Sequence, residues 1–329
     1  MSFEFRPAKR ENVPLLIGLA GGTGSGKTMS GMLLAKGLAG GQRFAVIDTE
    51  AGRAKHYAGE FDFDHADLKP PFRPEAYAAA IAAADAAGYP VILVDSASHE
   101  HAGEGGLLDW HEEELRRLAG DDWKKREAMT FTAWIKPKQA HKQFVNKLLQ
   151  VRAHLILCFR AEEKIEIVKE NGKTVVRPKK SLTGADGWVP VSEKNLPYEL
   201  TLSFLLTAAH PGVPRPIKLQ AQHRPFFPEG REIGMDAGVS LAGWAAGSIE
   251  APLTARVAEA AGARTAEAAE FTEALLELAD QAGKRDVVEA AIVRNREGHR
   301  DNPVAHIGWL QTQLEIAREK MAADAPVEF

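Results

Sequence analysis

Pro14-Leu15-Leu16-Ile17-Gly18-Leu19-Ala20-Gly21-Gly22-Thr23-Gly24-Ser25-Gly26-Lys27-Thr28 runs an apolar stretch straight into a glycine-rich loop. Pro14–Ala20 reads as a buried strand, and Thr28–Leu38 as a helix with Gly40 and Gly41 just past its end. Between them, Gly21–Thr28 matches G-x-x-x-x-G-K-[ST] in full. Glycines there let successive backbone N–H groups turn inward and cradle phosphate oxygens, and the positive end of the following helix adds to the field. Lys27 is placed to reach the β- and γ-phosphates, and the Thr28 hydroxyl to ligate Mg²⁺. The competing reading of so short a motif is a glycine-rich turn that binds nothing. The strand before it and the helix after it decide for nucleotide. Gly21, Gly22, Thr23, Gly24, Ser25, Gly26, Lys27 and Thr28 are therefore the expected phosphate cradle, with ATP and Mg²⁺ as ligands.

Working outward, strand and helix signals alternate to about residue 160, the pattern of a mostly parallel sheet covered by helices. Arg43–Asp48 and Val91–Asp95 read as strands, Pro74–Ala87 as a helix with proline in its first turn and Gly88 as its stop. Gly105–Leu118 and Lys138–Arg152 read as further helices, the second leading into a strand at His154–Arg160. Beyond it, Lys164–Val168 and Thr174–Arg177 flank Asn171-Gly172, the strongest short signal for a hairpin. Glu199–Leu206 alternates apolar and polar residues as a half-buried strand does, and Ile217–Gln220 is its expected neighbour. After Trp244 the composition turns to Ala, Gly, Thr and Glu, a tether, before three helical patterns at Phe271–Ala282, Asp286–Asn295 and Pro303–Met321. Their Leu275, Leu276, Val288, Ile292, Leu310 and Leu314 are the expected core of a small bundle, which offers a surface for a protein partner.

Val91–Asp95 is an apolar strand ending in a carboxylate, the form that holds Mg²⁺ through water beside a phosphate loop, so Asp95 joins Thr28 as an expected metal residue. Hydrolysis also needs a base near the γ-phosphate to orient and deprotonate water. Two glutamates compete for that role: Glu50, two residues past the Arg43–Asp48 strand, and Glu100, five residues past Asp95. Arg160 ends the fourth strand on the edge that faces nucleotide in a parallel sheet. Its plain reading is a surface arginine paired with Glu162 or Glu163. His99, His101 and His111 lie near acidic residues but match no zinc spacing.

The bulk numbers restrict the class. A chain of 329 residues exceeds one ordinary core, so a large domain plus an appendage is expected. A net charge of −4 points to neither a polyanion nor a membrane surface, although a local basic stripe remains compatible with nucleic acid. The single cysteine, Cys158, sits in an apolar run and reads as a buried small hydrophobe in a reducing compartment. No stretch is apolar enough to be a membrane helix and the N-terminal residues carry no leader pattern, so the expected location is the cytoplasm.

Ala20–Thr28, Val46–Ala54, Val94–Glu100, Gly105–Leu108 and Pro197–Thr201 together resemble a group of phage and prophage P-loop ATPases with RecA-like cores. The resemblance covers about residues 3–247, and the run Asp95-Ser96-Ala97-Ser98-His99-Glu100 is its most particular part. It implies a fold: a RecA-like three-layer αβα P-loop NTPase with a β-hairpin insertion and a C-terminal helical module. On that reading residues 1–247 are the ATPase domain, with the hairpin at about 162–181, 248–266 a linker, and 267–329 the helical module.

The resemblance also implies roles. Asp48-Thr49-Glu50 is similar to the strand-end Asp-x-Glu of RecA-type recombinases, which selects Glu50 as the base over Glu100. Arg160 takes the place of their polar γ-phosphate sensor, which is usually not arginine. Their DNA loops follow the sensor strand, so the hairpin's Lys164, Lys169, Lys173, Arg177, Lys179 and Lys180 become DNA candidates, with Trp188 available to stack on a base. Lys218 and Arg224 become candidates for completing a neighbouring subunit's site in a homo-oligomer. The implied activity is Mg²⁺-dependent ATP hydrolysis in DNA recombination or repair, on single-stranded DNA, in the cytoplasm of a bacterial host. An ATP-driven adaptor that does not touch DNA is the alternative. A P-loop small-molecule kinase comes third, since no arginine-rich lid follows Asp95. A MinD-like ATPase is disfavoured because Gly21–Thr23 lacks that group's additional lysine.

Overall fold

A computed structural model describes residues 5, 7–170, 173–178, 187–248, 268–298 and 303–322. The chain divides into two compact units, Met1–Ala251 and Pro252–Phe329. The expected tether at 248–266 lies, apart from Ser248, outside the described residues.

The first unit is built on strands β1 (Leu16–Gly21), β2 (Phe44–Asp48), β3 (Phe63–Asp67), β4 (Val91–Asp95) and β5 (His154–Glu163). Helices α1 (Lys27–Leu38), α2 (Pro74–Ala86), α3 (His99–Ala102), α4 (Leu107–Ala119), α5 (Trp123–Ala133) and α6 (Ile135–Leu148) connect them. After β5 come the hairpin β6 (Ile165–Glu170) and β7 (Lys173–Pro178), then β8 (Trp188–Pro190), α7 (Leu196–Glu199), β9 (Leu202–Thr207), β10 (His210–Lys218) and α8 (Met235–Ala245). Among the described residues the sheet runs β10-β9-β1-β5-β4-β2-β3, with β8 paired to β5. All pairs from β9 to β3 are parallel, while β10 and β8 join antiparallel.

Near-continuous apolar strands follow from helices on both faces. Along β5, Leu155, Leu157 and Phe159 enter one core with Tyr77 and Ile81 of α2 and Phe144 and Leu148 of α6. Alternate residues Ile156 and Cys158 enter the opposite core with Met32 and Leu34 of α1 and Leu241 of α8. Helices α1 and α8 approach closely because Gly37 and Gly238 meet there. A Cβ on Gly37 would lie 2.1 Å from the Met235 carbonyl oxygen. The result is a three-layer P-loop NTPase fold, as the sequence led us to expect. Cys158 is fully buried.

Some element boundaries differ from the sequence reading, and each for a physical reason. Strand β3, Phe-Asp-His-Ala-Asp, is too polar to announce itself, and it lies at the sheet's edge, where one flank needs no partner. Strand β10 starts seven residues before Ile217 and carries Pro211, Pro214 and Pro216, which an edge strand accepts because proline has no N–H to donate and one flank of an edge strand needs no donors. Helix α5 was not expected, being capped by Asp122 yet largely exposed, with Phe131 at 87% exposure.

In the second unit, a helix α9 over 268–281 precedes α10 (Arg285–Gly298) and α11 (Pro303–Ala322). Leu275, Val288, Ile292, Leu310 and Leu314 are buried together, and Leu276 packs against them partly buried. No helix among the described residues is long and apolar enough to cross a membrane.

Candidate active site

The sheet topology sets β5 between β1 and β4, so the phosphate loop and Asp95 leave from strands with a single strand between them. Register aligns Asp95 with Cys158 of β5 and with Asp48 of β2, and Gly21 with Arg160. The C-terminal ends of four strands thus converge on a cavity of about 540 Å³ lined by Gly21–Thr28, Glu50, Arg53, Asp95 and Arg160.

The loop is held by its own glycines. Gly24 and Gly26 adopt φ of 74° and 82°, left-handed values open to glycine, and Gly26 caps α1. A Cβ on Gly26 would also lie 2.8 Å from the Gly212 nitrogen, because the β10 segment rests on the loop and Gly212 N–H donates to the Ser25 carbonyl at 3.0 Å. On the other side the Trp188 ring packs against Gly22. Ser25 Oγ and Lys27 Nζ both donate to the Gly22 carbonyl at 2.8 Å, closing the loop on itself.

Thr28 Oγ1 donates to Asp95 Oδ2 at 2.6 Å. The pair brings a hydroxyl and a carboxylate together at the mouth of the loop, an all-oxygen donor set suited to Mg²⁺, which takes one or two protein oxygens and completes its shell with phosphate and water. Burial pushes the Asp95 carboxyl above the usual carboxylate range; Thr28 opposes this and the charge of Glu50 adds to it. A cation at this point would favour the ionised form.

Asp48 and Glu50 differ sharply despite their spacing. Asp48 is buried and accepts backbone N–H donors from Glu50 at 2.6 Å and Ala54 at 2.8 Å, with His65 Nε2 at 3.3 Å. It therefore anchors both sides of a tight turn in which Ala51 and Gly52 have φ of 57° and 83°. A non-glycine residue in the left-handed region costs of order 1 kcal/mol, so Ala51 needs that anchoring. The turn carries Glu50 into the cavity and swings Arg53 back to it. Glu50 Oε1 accepts from Arg160 Nη2 at 2.8 Å, and Oε2 from Arg53 Nη1 at 2.8 Å. Burial pushes the Glu50 carboxyl up, but Arg160 and then Arg53 outweigh it and hold the carboxyl below its ordinary value. Arg160 thus pairs with Glu50, not with Glu162 or Glu163.

Glu100 does not line the cavity. It is 2% exposed and its Oε1 lies 2.9 Å from His141 Nδ1 of α6, with Glu193 on the far side of the same ring at 3.8 Å. The run between Asp95 and Glu100 fastens the strand ends together. Ser96 N–H donates to Thr49 Oγ1 at 2.8 Å, Ala97 N–H to the Cys158 carbonyl, and Arg160 N–H to Ser98 Oγ at 2.8 Å. His99 lies 2.7 Å from Thr49 Oγ1 and stacks on Phe72, while His111 stacks on Trp134. Among the described residues no group of three or more His, Cys, Asp or Glu is placed to hold a metal.

The remaining candidates lie elsewhere. Lys164 is exposed just before β6. Lys169 is in β6, and Lys173 and Arg177 are in β7, while Lys179 and Lys180 lie outside the described residues. The hairpin register sets Glu166 opposite Arg177 and Glu170 opposite Lys173. Lys218 Nζ donates to the Tyr198 carbonyl at 2.7 Å and Arg224 belongs to a short 3₁₀ turn; neither lines this chain's cavity. Sequence reasoning gave no role to Arg53, Thr49, His141 or Glu193. Arg53 alone had a local signal, being one helical step from Glu50.

A family model described as an AAA domain matches residues 14–184, just over half of the chain. No curated protein matches the chain.

Proposed function

Because the chain belongs to the AAA domain family, a family of nucleotide-dependent ATPases, we propose that it is a Mg²⁺-dependent ATP hydrolase that acts on DNA in recombination or repair. The observation that carries the hydrolytic half is the meeting of Glu50, Lys27 and the Thr28–Asp95 pair in one cavity. Mg²⁺, when bound, would neutralise phosphate charge and so make the γ-phosphorus easier to attack. Thr28 and Asp95 would hold it, Lys27 binds the β/γ-phosphates, and Glu50 orients water. As the water oxygen attacks the γ-phosphorus, the bond to the bridging oxygen breaks and the water proton passes to Glu50.

The DNA half is supported by the basic composition of the hairpin after β5 and by the resemblance to phage recombination ATPases. One observation favours the adaptor reading instead: acidic residues stand opposite Arg177 and Lys173 in the hairpin register, which dilutes its field. Purified protein with Mg²⁺ and ATP decides the first half. Turnover is expected, with Lys27→Ala losing nucleotide binding and Glu50→Gln keeping binding while turnover falls by about 10²–10⁴. An electrophoretic shift of single-stranded DNA, with and without ATP over a salt series, decides the second. Absence of salt-sensitive binding in every nucleotide state leaves the adaptor.

A further inference from the structure

Arg160 stands where the resemblance puts a γ-phosphate sensor and Arg53 has no role in that reading, but the resemblance does not account for the pairing of both arginines with Glu50. Arg160 reaches Glu50 from three residues before the end of β5 and Arg53 from the turn after β2, and each occupies a different carboxylate oxygen. Both side chains remain largely accessible, at 53% and 71%, and both line the same cavity as Lys27 and Asp95. A carboxylate clamped between two guanidinium groups is a poor proton acceptor, so the arrangement disarms the residue best placed to act as base.

Building on the ATPase reading, we propose that Arg53 and Arg160 are ligands of the terminal phosphate and that their transfer from Glu50 to that phosphate is what arms the enzyme. Magnitudes favour the transfer. The Glu50 side chain is only 15% exposed but both arginines are solvated, and a pair with a solvated guanidinium is worth about 1 kcal/mol, so little holds the clamp shut. A guanidinium matches phosphate oxygens through two parallel hydrogen bonds, and its charge at a transferring phosphoryl group accelerates the reaction by orders of magnitude. ATP thus frees Glu50 and places two positive charges where negative charge develops. ADP has no third phosphate to draw the arginines away, so the clamp closes again once phosphate departs. The turn at Ala51–Gly52, anchored by Asp48, keeps Arg53 within reach of both partners.

The test compares affinities of the full chain for ADP and for a non-hydrolysable ATP analogue, AMP-PNP, both with Mg²⁺. Arg53→Gln and Arg160→Gln are each expected to weaken AMP-PNP by about tenfold, the worth of one charge-assisted hydrogen bond. ADP affinity should stay within about twofold, which also reports that the variant is folded. Glu50→Gln, by releasing the arginines, should tighten AMP-PNP by up to about fivefold without affecting ADP. Most of that gain should vanish when Glu50→Gln is combined with Arg53→Gln. Equal losses for AMP-PNP and ADP, or a Glu50→Gln variant with wild-type preference, would overturn the clamp while leaving the ATPase reading intact. A wild-type chain that binds neither nucleotide would end both.

Discussion

The ends of β2 and β4 are neighbours that use the same residue types in opposite ways. Each is an apolar strand finishing in an aspartate, and the two aspartates are register partners. Each is followed by a hydroxyl residue and, further on, a glutamate. At β4 the aspartate faces the cavity and the glutamate is buried against a histidine. At β2 the aspartate is buried under its own turn and the glutamate faces the cavity. The backbone that follows the strand makes the difference. After Asp48 the chain doubles back within four residues through left-handed Ala51 and Gly52, so the carboxylate is consumed by the turn's N–H groups. After Asp95 it runs into a segment whose N–H groups are taken by Thr49, Cys158 and Ser96, which leaves Asp95 to Thr28. A strand-end carboxylate faces the cavity where its own loop does not need it.

The largest effect expected from this contrast separates the two aspartates. Asp95→Asn should lower ATP turnover by at least about 10² through loss of metal-directed charge, with little change in urea midpoint. Asp48→Asn should do the reverse in kind. The loss of a charged acceptor for two buried N–H groups costs about 1–3 kcal/mol of stability, read as a lower urea midpoint at unchanged slope. Some activity loss follows as the turn carrying Glu50 and Arg53 loosens. If Asp48→Asn unfolds at the wild-type urea concentration, the anchoring role is wrong and the two strand ends are alike after all.

The same contrast shows where the sequence was sufficient. The loop Gly21–Thr28 and the strand Val91–Asp95 were legible as elements because they rest on local patterns, a glycine-rich turn and an apolar run ending in a carboxylate. Glu50 and Glu100 could not be separated from composition alone. Only a resemblance favoured Glu50, because burial of Glu100 depends on His141, forty-one residues away in α6. Arg160 was expected to end its strand, which instead runs on to Glu163 by pairing with β8, and its partner was not legible, since Glu50 lies 110 residues away and nearer glutamates competed. Strand β3 and the proline-bearing β10 were obscured because edge strands are released from the patterns that identify central ones.

The smallest effect sharpens the contrast between the glutamates, because their carboxyls are displaced in opposite directions. Glu100 faces His141, with Glu193 and Glu75 further off; burial raises its carboxyl, only partly offset by His141. A raised acid contributes stability that is full below its ordinary value and is lost as pH rises through the folded value. Glu50 faces Arg160 and Arg53, which outweigh its burial and hold it low. A lowered acid contributes stability that is present above its ordinary value and is lost as pH falls through the folded value. Taking wild type minus variant, the stability difference for Glu50→Gln should therefore shrink on acidification from about pH 7 towards pH 4, and that for Glu100→Gln should move in wild type's favour. Glutamine keeps a hydrogen-bonding group beside His141, so Glu100→Gln isolates charge from contact. The signs of the two slopes are the readout, and urea midpoints across that pH range resolve them. Slopes of the same sign would mean that the two glutamates share one environment, and the division between a cavity carboxylate and a buried one would fall with it.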